Sequence, residues 1–332
     1  MRISFNTFNN YSVNLKSKPI KNINFKGVDS FDTFEKKEPI HINNLSKNFN
    51  KPIKIVFSDI DGTMIDEKIP YLHRRVYNSV LDLQDKNIPL ILSTGRSIDE
   101  IFSFTEKMPY MPDYLILEQG AYITDGFGRP LYKDPMKKDD ANNVLDFYKK
   151  FSKENQSAQL LTYINGLMYY LNSAEVDEDS FNPCFLKLIY SQFEKGNYPT
   201  KFLLYLPESN GFDYMEDIKK QAKTTIASDD LSMLITSKNF LEFMNKSSSK
   251  GNAAKIIAEK LGYNLENAVG IGDGENDIEL VSKIQDAGGV GIAMGNAQKC
   301  LKEKADFVTD DVLSRGFATA MESVLEHNKQ FE

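Results

Sequence analysis

Residues 53–63 read Ile-Lys-Ile-Val-Phe-Ser-Asp-Ile-Asp-Gly-Thr, and this stretch decides the fold. Residues 53–57 are a short, β-branched, mostly apolar run, the pattern of a strand buried on both faces. Two carboxylates follow at once, Asp59 and Asp61, and then Gly62, where the backbone can turn sharply. The C-terminal end of a buried parallel strand is where open α/β sheets bind ligands. Taken alone, the same residues also suit an ordinary Asx-type turn.

Outward from this strand the pattern alternates. Residues 72–86 predict an amphipathic helix, 88–92 a second buried strand, 98–107 a helix and 114–117 a third strand. After Lys250 the alternation returns: helix at 252–261, strand at 268–271, helix at 276–284, short strands at 290–293 and 306–308, and a last helix at 317–326. Alternation of this kind gives a doubly wound parallel sheet covered by helices on both faces. Between 135 and 245 the texture differs. Segments 160–164 and 167–171 flank Asn165-Gly166, a strong hairpin signal. Segments 201–206, 224–227 and 233–236 are further strand candidates, and 212–223 is helical. The fold class expected is therefore an α/β core split by an inserted α+β domain. The core takes 51–134 and 247–328, the insertion 135–246, and hinges fall near 133–136 and 245–248.

Residues 1–50 are rich in Asn, Lys and Ser with weak periodicity. They read as a largely disordered leader, or, through Phe5, Phe8, Tyr11 and Phe25, as a segment docking on a protein partner. The net charge of −7 and the lack of a basic patch argue against nucleic acid as a partner. No apolar run approaches the roughly 18 residues needed to span a bilayer. The N-terminus lacks a secretory apolar core, so the expected location is cytoplasmic. Cys184 and Cys300 have no metal-ligand spacing, the three histidines form no triad, and neither a GxSxG elbow nor a Walker loop is present.

Three more polar clusters sit at predicted strand ends or helix starts. Ser93-Thr94-Gly95-Arg96 offers a hydroxyl and backbone N–H groups to a phosphate, or simply caps a helix. Lys250-Gly251 opens a helix with a cation that can neutralise phosphate and carboxylate together; a lone solvated lysine is the bland reading. Gly272-Asp273-Gly274-Glu275-Asn276-Asp277 returns more acids to the same sheet edge, or is an acidic loop with an N-cap. Crowded carboxylates repel, and all-oxygen ligands favour Mg²⁺.

The order and types of these clusters over 51–326 resemble the haloacid dehalogenase-like (HAD) phosphohydrolase superfamily. The insertion between Thr94 and Lys250 resembles the subclass with a C2-type α/β cap, subfamily IIB. GDGENDIEL (272–280) and GIAMGNA (291–297) are similar to the Cof-type branch, and STGRSIDEI (93–101) with MPDYLI (111–116) to sucrose-phosphatase-like members. The resemblance implies Asp59 as a nucleophile forming an aspartyl-phosphate, and Asp61 as general acid/base that also gives a backbone carbonyl to Mg²⁺. It implies Gly62, Thr63, Thr94, Gly95, Lys250 and Asn276 as phosphate-binding residues, Asp273 as a Mg²⁺ ligand, and Asp277 as an acid holding metal-bound water. It also implies a small phosphorylated metabolite, a sugar phosphate, as substrate. Two positions depart from the pattern: Gln119-Gly120-Ala121 stands where Asn-Gly-Ala is usual, and Ser247-Ser248-Ser249 where a Gly-Val-Ser-type run is common. A phosphomutase, and a binding or regulatory module of the same fold, are the alternative readings.

Overall fold

The computed structural model of this chain describes residues 40–66, 68–69, 71–173 and 184–332. Besides single helical turns, the first part holds β1 (Ile40–His41), β2 (Ile55–Ser58), α1 (Arg74–Asp85), β3 (Leu90–Ser93), α2 (Ile98–Thr105), β4 (Tyr114–Leu117), β5 (Tyr122–Asp125) and β6 (Pro130–Lys133). The middle holds α3 (Lys138–Glu154), β7 (Gln159–Ile164), β8 (Leu167–Leu171), α4 (Cys184–Glu194), β9 (Lys201–Tyr205), α5 (Phe212–Ile226), β10 (Leu231–Ser237) and β11 (Phe240–Asn245). The last part holds α6 (Lys250–Leu261), β12 (Ala268–Gly272), α7 (Ile278–Asp286), β13 (Val290–Ala293), β14 (Phe307–Val308) and α8 (Gly316–Asn328).

One sheet runs in the order β1-β14-β13-β12-β2-β3-β4-β5-β6. It is parallel from β1 to β4 and ends in the antiparallel ribbon β4-β5-β6. Both faces are covered, which explains why β2 is buried at every residue. Ile55 and Phe57 pack with Ala254 and Ile257 of α6 and Leu280 and Ile284 of α7. Val56, between them, points the other way and packs with the cluster that holds Val76 and Val80 of α1 and Met321 and Val324 of α8. Alternate residues of one strand thus serve two cores. In the parallel register Ser58 pairs with Ile271 and Leu92, and Ser93 with Ile116. The C-terminal ends of β2, β3, β4 and β12 therefore open on one edge.

The second sheet, β10-β11-β9-β7-β8, is antiparallel and entirely from the insertion. Asn165 and Gly166 have φ of 55° and 78°, the left-handed pair that a two-residue hairpin needs. One face packs on α3 and α5 through residues such as Val144, Tyr148, Met215 and Ala222.

Two expectations need correction. A leader reaching residue 50 is too long: Ile40–His41 forms an edge strand on β14, and Ile42 and Leu45 are fully buried in the core. Two apolar residues on one helical turn are too short a run to register as periodicity among polar neighbours. Residues 1–39, with the docking anchors Phe5, Phe8, Tyr11 and Phe25, lie outside the described residues. Segment 224–227 is the last turn of α5, not a strand. Its β-branched residues suggest a strand, but Thr224 and Thr225 donate their hydroxyls to the carbonyls of Lys220 and Gln221, and Ile226 fills the insertion's core. The antiparallel pairing of β5 with β6 lies outside the sequence expectation. No helix among the described residues is long and apolar enough to cross a membrane.

Candidate active site

Where β2 ends, the Asp59 N–H donates to the Ile271 carbonyl at 3.0 Å, one more rung of the parallel ladder. This fixes Asp59 beside the end of β12. Gly62 then turns with φ +79°, and an added Cβ would lie 2.2 Å from Asp273 Oδ2, so only glycine fits. Thr63 donates its hydroxyl to Asp59 Oδ2 at 3.3 Å.

Lys250 opens α6, because Ser249 caps the helix by accepting from Asn252 N. Its ammonium is wholly buried and donates at 2.6 Å both to Asp59 Oδ1 and to Asp277 Oδ1. The other Asp277 oxygen accepts from the N–H groups of Asp273 and Gly274, so this acid braces both the lysine and the loop after β12. Asp59, Asp273 and Asp277 each offer a carboxylate oxygen within 4.8 Å of the others. Burial pushes the Asp59 carboxyl well up; Lys250 offsets this only in part, and Asp277 and Asp273 push the same way as burial. Burial alone would lower the Lys250 pKa, but Asp277 and Asp59 together outweigh it and hold the ammonium charged. Three acids around one lysine leave excess negative charge, and the oxygen donors fit a hard divalent cation.

Thr94 follows β3, its N–H bonded to Ile116 O and its hydroxyl accepting from Arg96 N at 3.2 Å. Gly95 gives its carbonyl to Lys201 Nζ at 2.8 Å. Asp61 turns toward Arg96, which grips it with two bonds of 2.8 and 2.5 Å. Asn276 donates to Gln119 Oε1 at 3.1 Å. Every residue picked from the sequence thus lies on or beneath the same sheet edge.

A cavity of about 290 Å³ lies above that edge. Its floor includes Asp59, Asp61, Thr94, Arg96, Asp273 and Asn276; its roof, from the inserted sheet, includes Tyr163, Lys201, Thr236, Phe240 and Glu242. Lys201 is buried, 3.6 Å from Glu242 and 4.7 Å from the Tyr163 ring centre. Glu118, behind the cavity, accepts from the Thr200 hydroxyl; burial pushes its carboxyl up, and Lys201 only partly offsets that. Of the tyrosines on the inserted sheet, Tyr163 lines the cavity, while Tyr169 packs on the insertion's core and Tyr205 on Phe240. Sequence reasoning missed Lys201, Glu242 and Asn296, whose amide ties Gly62 O to Asp273 Oδ2. A signal existed for the first two: Lys201 heads, and Glu242 interrupts, an otherwise apolar strand run, Lys-Phe-Leu-Leu-Tyr and Phe-Leu-Glu-Phe-Met.

The sequence profile for haloacid dehalogenase-like hydrolases matches residues 56–321. A Bacillus subtilis 5-amino-6-(5-phospho-D-ribitylamino)uracil phosphatase, YcsE, is 24% identical over 272 residues, covering 81% of this chain and 94% of that one. Phosphatase YwpJ of the same organism is 25% identical over 296 residues, covering 82% of this chain and all of that one. The solved structure of BT1666 from Bacteroides thetaiotaomicron superposes with a TM-score of 0.65 at 21% identity, over 82% of this chain and 95% of that one, and shares the fold. With the profile spanning both halves of the core and the insertion between them, the chain belongs to the haloacid dehalogenase-like hydrolase family.

Proposed function

We propose that this member of a family rich in phosphatases hydrolyses a small phosphorylated metabolite, a sugar phosphate, with Mg²⁺ and through an aspartyl-phosphate on Asp59. The observation that carries the reading is the buried Lys250 ammonium set 2.6 Å from both Asp59 and Asp277, at the mouth of four aligned strands. Asp59, Asp273 and Asp277, with Asp61 through its backbone, would hold the ion. When bound, it neutralises carboxylate and phosphoryl charge.

Phosphate monoesters hydrolyse so slowly in water that catalysis can require on the order of 20 kcal/mol. A carboxylate nucleophile divides this into two smaller barriers. An Asp59 oxygen attacks phosphorus, and the bond from phosphorus to the leaving oxygen breaks. Asp61 gives its proton to that oxygen, releasing an alcohol. Water then attacks the aspartyl-phosphate, Asp61 takes a proton from it, and inorganic phosphate leaves with Asp59 restored. Lys250, the Thr94 hydroxyl and the backbone around Gly62 and Thr63 stabilise the transferring phosphoryl group. Arg96 grips the Asp61 carboxylate before substrate binds, and Asp61 takes up the proton it later gives once that pairing has been exchanged for the substrate's leaving oxygen. The roof residues keep bulk water from the acyl-phosphate.

The test is release of inorganic phosphate from a panel of sugar phosphates, by wild type and Asp59→Asn, with Mg²⁺ and with EDTA. Turnover by wild type with Mg²⁺, and a fall on the order of 10³-fold or more in folded Asp59→Asn, is expected. Equal rates for the two proteins would overturn the nucleophile, and undiminished release in EDTA the metal dependence.

A further inference from the structure

Gln119 sits in a turn that the surrounding chain forces. Glu118 and Gln119 have consecutive left-handed φ of 52° and 58°, and Gly120 follows at +96°. Non-glycine residues adopt this region rarely and keep it only where neighbours over-determine it. Here they do. Glu118 N donates to Arg96 O at 3.0 Å and Gln119 N to Thr94 O at 3.1 Å, tying the turn to the Thr94 loop. On the other side Gly120 packs so tightly on the start of α6 that a Cβ would lie 2.2 Å from Ser249 O. The turn is wedged between the threonine and the lysine proposed to bind phosphate.

This wedge aims a long amide across the floor of the site. The Gln119 side chain is nearly buried, at 5% exposure. Its Nε2 lies against Gly95, where an added Cβ would approach to 2.4 Å. Its Oε1 accepts from Asn276 Nδ2 at 3.1 Å. Both residues border two cavities, the one of about 290 Å³ above the carboxylates and another of about 240 Å³ toward Ser232, Met244 and Ser249. The amide pair is a partition between them.

We propose that Gln119 is a positioning residue: it fixes the Asn276 amide in register with Thr94 and Lys250, so that the three meet the same phosphoryl group, and it closes the floor of the site on the side of the second cavity. This rests on the phosphoryl-binding half of the phosphatase reading, not on turnover. Asn276 donates to the Gln119 amide at 3.1 Å, and a side chain one methylene shorter on this backbone is expected not to reach it.

Binding of orthovanadate with Mg²⁺, measured by calorimetry on the full chain, tests it through a double-mutant cycle. Gln119→Met keeps the volume and removes the hydrogen bond. It is expected to weaken vanadate binding about tenfold, as Asn276→Ala does, the scale of one well-placed hydrogen bond. The double variant should bind no worse than either single one, because Gln119 acts through Asn276. Gln119→Asn, which keeps the amide but not the reach, should match Gln119→Met and serves the same cycle if the methionine variant does not fold. Wild-type affinity in either folded Gln119 variant, or losses that multiply to about a hundredfold in the double variant, would overturn the proposal. Vanadate binding that follows the cycle, with no phosphate released from any ester, would sink the phosphatase reading and leave this one standing.

Discussion

Glu118 carries a cost that its neighbours only partly relieve. Its carboxyl is fully buried, accepts one hydroxyl from Thr200, and leaves Oε1 without a protein partner among the described residues. Burial holds its pKa above the ordinary value of 4.5. For an acid raised on folding, the native state binds more protons than the unfolded one, so stability falls as pH rises through that window. Glu118→Gln is therefore expected to raise the melting temperature near pH 7, and the gain should vanish below about pH 4, where the unfolded carboxyl is protonated as well. Calorimetric melts of the two proteins across pH measure this; a gain that persists or grows in acid would refute it. At this scale the contiguous motifs were legible: Asp59 with Asp61, and Asp273 with Asn276 and Asp277, stand close in sequence because one strand end delivers each group. Lys201 and Glu242 were not legible as a pair. They are neighbours only because β9 and β11 lie side by side, which the linear chain does not record.

The elements were legible where burial decides them. β2, β3 and β12 are short and buried on both faces, and their apolar runs announce it. The end of α5 misled because Thr224, Thr225 and Ile226 have strand preferences, while packing of Ile226 and back-bonding of the two hydroxyls favour the helix. That helix closes on Ala227 in a left-handed conformation, φ 48° and ψ 43°, exposed and with its N–H on Lys223 O. A Cβ is unfavourable there and glycine is the usual occupant. Ala227→Gly should stabilise the folded chain by about 0.5–1 kcal/mol in urea unfolding, against the loss that glycine causes inside a helix. A destabilisation of that size would show that the left-handed cap is not retained in solution.

Across the whole core domain, the first described residues matter more than their composition suggests. β1 extends the sheet past β14, Ile42 and Leu45 are buried to the last percent, and Phe49 packs on the His327 ring at 5.5 Å. A chain starting at Lys51 is expected to lose about 3–6 kcal/mol relative to one starting at Ile40, from burial of two large apolar side chains. Chemical denaturation of the two compares them directly; equal midpoints would mean the edge strand adds nothing. The alternation of strands and helices made the doubly wound core readable, and Asn165-Gly166 betrayed the inserted sheet. The strand order at the two edges was not readable, since β1 and β6 are short, exposed or isolated in pattern. Asp134, just after β6, receives the hydroxyls of Ser247 and Ser248 and the amide of Asn245, which lead out of β11. Among the described residues the chain passes between the sheets twice, and this carboxylate ties the outgoing and returning segments together. With Lys201 held on Gly95 and Thr200 on Glu118 at the far side of the cavity, the roof is moored at two places, so loss of the Asp134 carboxylate would slacken one mooring and leave the other.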